Sequence, residues 1–318
     1  MRKILLASTA LVAFGTVAAN AADVTINGAF DWHYINYDNA SSAAASNGSL
    51  VSLATDLDFT FTETTDSGLT VKLGMGVSES ATDDQYLSIA GDFGTIKLSN
   101  SEGLADSAMD NSVADEYTSL TSTNSGLQMG THAADYNADT MTFTLPTMSG
   151  LTLAMSHQDT GATSKADNTT FSAVYSADIA SGTLKGQFLS GSTDDTGAAS
   201  DVSGIDYQTM AIQATLGDFV VTGSQHTKSD NGNTYDLTNN IFDVKYSGID
   251  GLSLSAYATS GDDDKQSSYD FSQNAASVTY TIASGLTASL TITDTEVTNT
   301  SGTKSNDDAT VLNIKAAF

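Results

Sequence analysis

The chain has 318 residues, 38 acidic against 11 basic side chains, a formal net charge of −27, one proline and no cysteine. Charge of this sign repels nucleic acid, the lack of cysteine excludes a disulfide-stapled secreted fold, and no apolar run after residue 21 is long enough for a membrane-spanning helix. At 40 % hydrophobic content, the apolar residues are few for a packed soluble core of this length.

Arg2 and Lys3 begin the chain, an apolar run with small residues follows from Ile4 to Val17, and Ala19 and Ala21 carry small side chains at the spacing of a signal-peptidase site. This pattern predicts a signal peptide over 1–21 and leaves 22–318 as one domain. Removing Arg2 and Lys3 leaves nine basic residues, none of them arginine, against 38 acidic ones, a net charge of −29.

From there the dominant signal is period-two alternation. Leu69, Val71, Leu73, Met75 and Val77 share one face, and Thr70, Lys72, Gly74 and Gly76 the other, which describes a strand between two unlike environments. Sixteen such segments follow one another: 24–36, 50–63, 69–80, 84–92, 94–100, 139–147, 150–159, 169–178, 182–192, 205–216, 218–228, 239–248, 251–261, 272–283, 285–297 and 308–318. Many are near ten residues, enough for a tilted strand to cross a bilayer. The second face is Thr, Ser, Gly, Asn and Lys, which predicts contact with water.

The connections alternate as well. One set is short and rich in glycine, as at Thr65–Gly68, Ser149–Gly150 and Ser284–Gly285; the other set is mostly longer and acidic, at 37–49, 81–83, 101–138, 160–168, 193–204, 229–238, 262–271 and 298–307. Tight hairpins need residues that accept positive φ, and short turns on one rim with long loops on the other match a bacterial outer-membrane barrel. The expected fold is therefore all-β, a transmembrane antiparallel β-barrel of about sixteen strands with both termini on the short-turn side. Pro146 falls at a strand end, where a missing N–H does least harm. The last segment keeps Ile314, Ala316 and Phe318 on the apolar face, and a final strand that stops on phenylalanine resembles the terminal signal of outer-membrane barrels.

Two stretches carry a family resemblance. Phe61 to Leu69, reading FTETTDSGL, and Leu87 to Leu98, reading LSIAGDFGTIKL, resemble the second to fifth strands of the sixteen-stranded general porins of alphaproteobacteria, the Rhodobacter type. The resemblance implies a homotrimer, each barrel with its own water-filled pore, and a loop after the fifth strand that folds inward and narrows it. Here that loop is 101–138, the longest connection, with Glu102, Asp106, Asp110, Asp115 and Glu116 as candidate constriction carboxylates. Ser125–Met129 looks like a further turn and strand start and is read as part of the same loop.

Porins of this type often oppose the acidic loop with arginines, and none exists here. Lys72, Lys97, Lys185, Lys245 and Lys315 fall on the wet face near the short-turn ends. They are expected either to supply that opposing field or to balance wall carboxylates such as Asp56, Asp58 and Asp243. The implied function is passive diffusion of ions and small hydrophilic solutes across the outer membrane, with a preference for cations; a substrate-selective channel is the alternative.

No cofactor is required. Asp262, Asp263 and Asp264, an acidic run in an outer loop, have the hard oxygen chemistry that suits calcium and bridging to lipopolysaccharide phosphates, with simple solvation as the other reading. Enzyme signatures are missing: no G-x-S-x-G, no phosphate loop, no H-E-x-x-H. A secreted acidic calcium-binding solenoid would need a glycine-aspartate nonapeptide repeat, and the chain has none.

Overall fold

The computed structural model describes residues 23–39, 48–78, 82–100, 103–104, 139–159, 167–193, 204–230, 232, 236–265, 270–298 and 302–318. Sixteen strands follow in chain order: β1 (Asp23–Asn39), β2 (Gly48–Thr64), β3 (Thr70–Ser78), β4 (Thr82–Gly91), β5 (Gly94–Ser99), β6 (Asp139–Thr144), β7 (Leu151–Asp159) and β8 (Asn168–Ile179). The second half is β9 (Gly182–Thr193), β10 (Ile205–Leu216), β11 (Phe219–Asp230), β12 (Asp236–Ile249), β13 (Leu252–Asp263), β14 (Asp270–Ala283), β15 (Leu286–Thr298) and β16 (Lys304–Ala317). Each strand is antiparallel to its sequence neighbours, and β1 pairs with β16, so the sheet closes into a barrel without edges. Closure matters because lipid offers no partner to a free edge.

Every alternating segment of the sequence is one of these strands. β5 pairs directly with β6, and the sixteen described strands close the wall; Ser125–Met129 lies outside the described residues, as does the segment 1–21.

The two faces follow from register. On β15 the outward side chains are Leu286, Ala288, Leu290 and Ile292, and the inward ones Thr287, Ser289, Thr291 and Thr293. The same phase gives Leu73, Met75 and Val77 outward on β3. Near the short-turn rim the outer face carries Phe61, Phe143, Tyr175, Phe219, Tyr246 and Tyr280, with the Phe219 and Tyr246 rings 4.6 Å apart; such a girdle sits where the bilayer meets water.

Towards the long-loop rim the pattern inverts. Outward positions become polar: Ser260 and Asp262 on β13, Asn274 and Ser272 on β14, Asp294 and Glu296 on β15. Inward positions there include buried Leu237, Ile241, Tyr257, Phe271, Val297 and Val311. The inner wall is thus less uniformly polar than the sequence suggests. The reason is position: above the hydrocarbon the outer face meets water and headgroups, so apolar side chains have no preference for it.

The seam between first and last strands ends on Phe318. Its N–H donates to the Gly28 carbonyl at 3.0 Å, its own carbonyl accepts the Gly28 N–H at 2.8 Å, and its ring covers Gly28. Deleting Phe318 leaves both Gly28 groups unpaired beside lipid and is expected to cost roughly 2 kcal/mol or more, measured as a lower urea midpoint of the refolded barrel.

Candidate functional site

The candidate site is the lumen, and its lining is built from rows of inward side chains that cross the strands. Hydroxyl and amide groups dominate these rows and bond to one another. Gln213 donates to Thr222 at 3.1 Å, Gln273 to Thr295 at 2.9 Å, and Thr291 to Ser277 at 2.8 Å. Tyr207 of β10 lies across Gly191 of β9, where a side chain would strike its ring, and its hydroxyl donates to Asn168 of β8 at 2.7 Å. Glycine on one strand thus admits an aromatic ring from the next, tying three strands together. His226 is buried between the hydroxyls of Thr209 at 2.9 Å and Ser224 at 3.0 Å. Neutral partners on both ring nitrogens give a structural role.

All five lysines expected on the wet face occupy inward register positions. Lys315 is paired: its Nζ lies 3.6 Å from Asp31 Oδ2, and Asp31 also meets the Asn313 amide and lies 3.5 Å from His33 Nε2. Lys72, Lys97, Lys185 and Lys245 form no ion pair among the described residues. A further inward lysine among the described residues, Lys228, faces Tyr207 towards the long-loop rim; its place in the alternation of β11 was the signal that could have found it. Inward carboxylates include Asp31, Asp56, Asp58, Asp243 and Asp307. Wall charge among the described residues is therefore mixed, and further carboxylates, Asp262, Asp294, Glu296 and Asp308, occupy outward positions towards the long-loop rim.

Glu102, Asp106, Asp110, Asp115 and Glu116 lie outside the described residues. Two residues at the start of their segment are described, and both turn inward. The Leu104 N–H donates to Ser156 Oγ at 3.0 Å, and Gly103 packs against Ser156 and Thr140. Both partners are buried on the inner face, on β7 and β6. After β5 the chain has thus crossed the inner side of β6 to reach β7.

The acidic run 262–264 does not converge on one point. Asp262 points outward and is exposed, Asp263 points inward and is buried, because successive strand residues alternate. The Asp263 carboxylate accepts the N–H groups of Asp236 at 3.0 Å and Lys265 at 2.9 Å, closing the β12–β13 pair. Among the described residues no group of three or more His, Asp or Glu side chains could hold a metal ion. On the outer wall Lys304 pairs with Glu296 at 2.6 Å.

Comparison with curated proteins returns no match. Solved structures match over almost the whole chain. The anion-selective porin from Comamonas acidovorans shares 13 % identity at a TM-score of 0.69, covering 93 % of this chain and 100 % of that one. OmpT, an outer membrane protein of Vibrio cholerae, shares 14 % at 0.68, covering 95 % and 99 %. An engineered porin of Rh. blastica shares 14 % at 0.61, covering 93 % and 100 %. These likenesses establish the barrel fold. The family model for Gram-negative porins matches residues 7–300. An outer-membrane location follows from that match, and the chain belongs to the Gram-negative porin family.

Proposed function

We propose that this porin is a general diffusion channel that passes ions and small hydrophilic solutes and prefers cations. The observation that carries the reading is the wall itself: sixteen strands enclose an aqueous interior rather than a filled one, lined by hydroxyls, amides and mixed charge. The inward course of Gly103 and Leu104 supports a constriction formed by the segment they begin. Net charge of −29 in the mature chain supports the cation preference. The reading needs no catalytic group and no cofactor.

The test is single-channel conductance of the refolded protein in a planar bilayer under a KCl gradient. Stepwise insertion with a reversal potential of cationic sign is expected. Folded, inserted protein that carries no current would overturn the channel; current with an anionic sign would overturn the preference alone.

The same reading takes the functional unit to be a homotrimer in contact with lipopolysaccharide, of the alphaproteobacterial type suggested by FTETTDSGL and LSIAGDFGTIKL. A trimer form is described for OmpT of Vibrio cholerae. Leu57, Phe59, Leu73 and Met75 form a continuous outward patch on β2 and β3, with Phe59 directly opposite Met75. Replacing Leu73 and Met75 by glutamate is expected to yield folded monomers in analytical ultracentrifugation. Unchanged trimers would exclude this face as the contact.

A further inference from the structure

Two of the inward lysines stand apart from the others. Lys72 on β3 is opposite Ser88 on β4, and Ser88 is opposite Lys97 on β5. Their Cα atoms are therefore two strand spacings apart, roughly 10 Å, within reach of a shared ligand for two long arms. Both lie close to the short-turn rim: β3 begins at Thr70 and β5 at Gly94.

Neither ammonium has a carboxylate within 4.0 Å among the described residues, whereas Lys315 is held by Asp31 and Lys304 by Glu296. Lys97 Nζ lies 5.1 Å from the centroid of the Tyr86 ring. That face attracts and steers the ammonium without neutralising it. Tyr86 in turn lies over Gly74, two residues along β3 from Lys72. The remaining neighbours on the row are hydroxyls, Thr62 beside Lys72 and Thr142 beside Lys97. The nearest carboxylate on this row, Asp23, is two strands beyond Lys72 on the far side of Thr62.

Two ammonium groups with no carboxylate partner among the described residues, set either side of a serine with further hydroxyls beside them, suit a compact oxyanion with more than one negative charge. Lysine binds phosphate as a point charge and needs no planar match. We propose that Lys72, Lys97, Ser88 and Thr142 form a binding subsite for phosphate-class oxyanions near the periplasmic end of the lumen. A channel of mixed wall charge would thus hold a station for anions close to its short-turn rim. The subsite's part in transport rests on the diffusion-channel reading, but binding does not depend on conduction.

The experiment uses the refolded mature protein in detergent micelles and inorganic phosphate as probe, read by 31P line width. Saturable broadening is expected, weakened at least about fivefold in Lys72→Gln/Lys97→Gln and unchanged in Lys304→Gln. Lys72→Arg/Lys97→Arg keeps the charges and is expected to retain binding, which guards against a folding artefact. In bilayers, phosphate on the periplasmic side should reduce potassium current more than phosphate on the other side. Equal broadening in the native and double-glutamine proteins would overturn the subsite, as would no broadening in the native protein. Phosphate binding without any conductance would leave the subsite standing and remove the channel reading.

Discussion

Gly94→Val is expected to leave no folded barrel. Gly94 opens β5 directly after the turn at Asp92 and Phe93, with φ at +111°. An added Cβ would sit 2.1 Å from the backbone carbonyl oxygen of Thr144 on β6, which no side-chain rotation can relieve. Valine at positive φ adds about 1–3 kcal/mol of backbone strain. The place makes matters worse: β5 and β6 are six residues each and share five register pairs, where β1 and β2 share fifteen. Little pairing is left to hold the wall shut once its periplasmic end is pushed apart. Gly217→Ala separates the two effects. Gly217 also has positive φ, at +58°, but nothing within 4 Å of a Cβ, so it should cost about 1–2 kcal/mol and still fold. Heat-modifiable mobility on gels and the urea midpoint report both. A Gly94→Val protein that refolds like the native one would show that the β5–β6 junction yields more than its geometry suggests.

The second large effect concerns selectivity. Under a KCl gradient at about 0.1 M, screening extends roughly 10 Å, and at 1 M about 3 Å. Cation preference should therefore be clear at low salt and fade towards the mobility ratio of the ions at high salt. Asp31→Asn removes one lumen carboxylate and also releases Lys315, which Asp31 now holds at 3.6 Å. A unit charge at about 10 Å in water is worth roughly 0.4 kcal/mol, so this single change should lower the cation-to-anion permeability ratio about twofold. Replacing Asp106, Asp110 and Asp115 together by asparagine should lower it further if their segment narrows the pore. Ratios unmoved by both variants would mean that selectivity is set elsewhere, at the acidic outer rim.

The fold was legible because a barrel wall has two unlike solvents, and alternation between them persists over sixteen strands. Strand ends on the outer side were less legible, for a physical reason. β16 begins at Lys304 rather than near 308, β12 at Asp236 rather than 239, and β14 at Asp270 rather than 272. There the phase inverts: Asp308 and Asn306 point out while Asp307 points in, so a reading that follows one apolar phase stops too soon. The lysines could be placed on the inner face from alternation alone. That Lys315 is spent on Asp31 could not be seen, because the pair crosses the seam between the first and last strands. Nor could the covering of Gly74 by Tyr86 or of Gly191 by Tyr207, which depends on cross-strand register. Asp262 and Asp263 illustrate the opposite error: adjacency in sequence puts strand carboxylates on opposite sides of the wall.

That inversion also fixes how high the barrel rides. On β15 the outward series runs Leu286, Ala288, Leu290, Ile292, then Asp294 and Glu296 with no residue of intermediate character. On β14 it runs from Ile282 to Ala276 and then to Asn274. Sinking by two residues would drag Asp294 and Asp308 among acyl chains; rising by two would strip lipid from the Tyr280 and Phe318 end. Both displacements raise the free energy, so the molecule has a waterline. Bilayers thicker or thinner than its band must deform to meet that line, and the porin in turn sets the local thickness of the membrane around it.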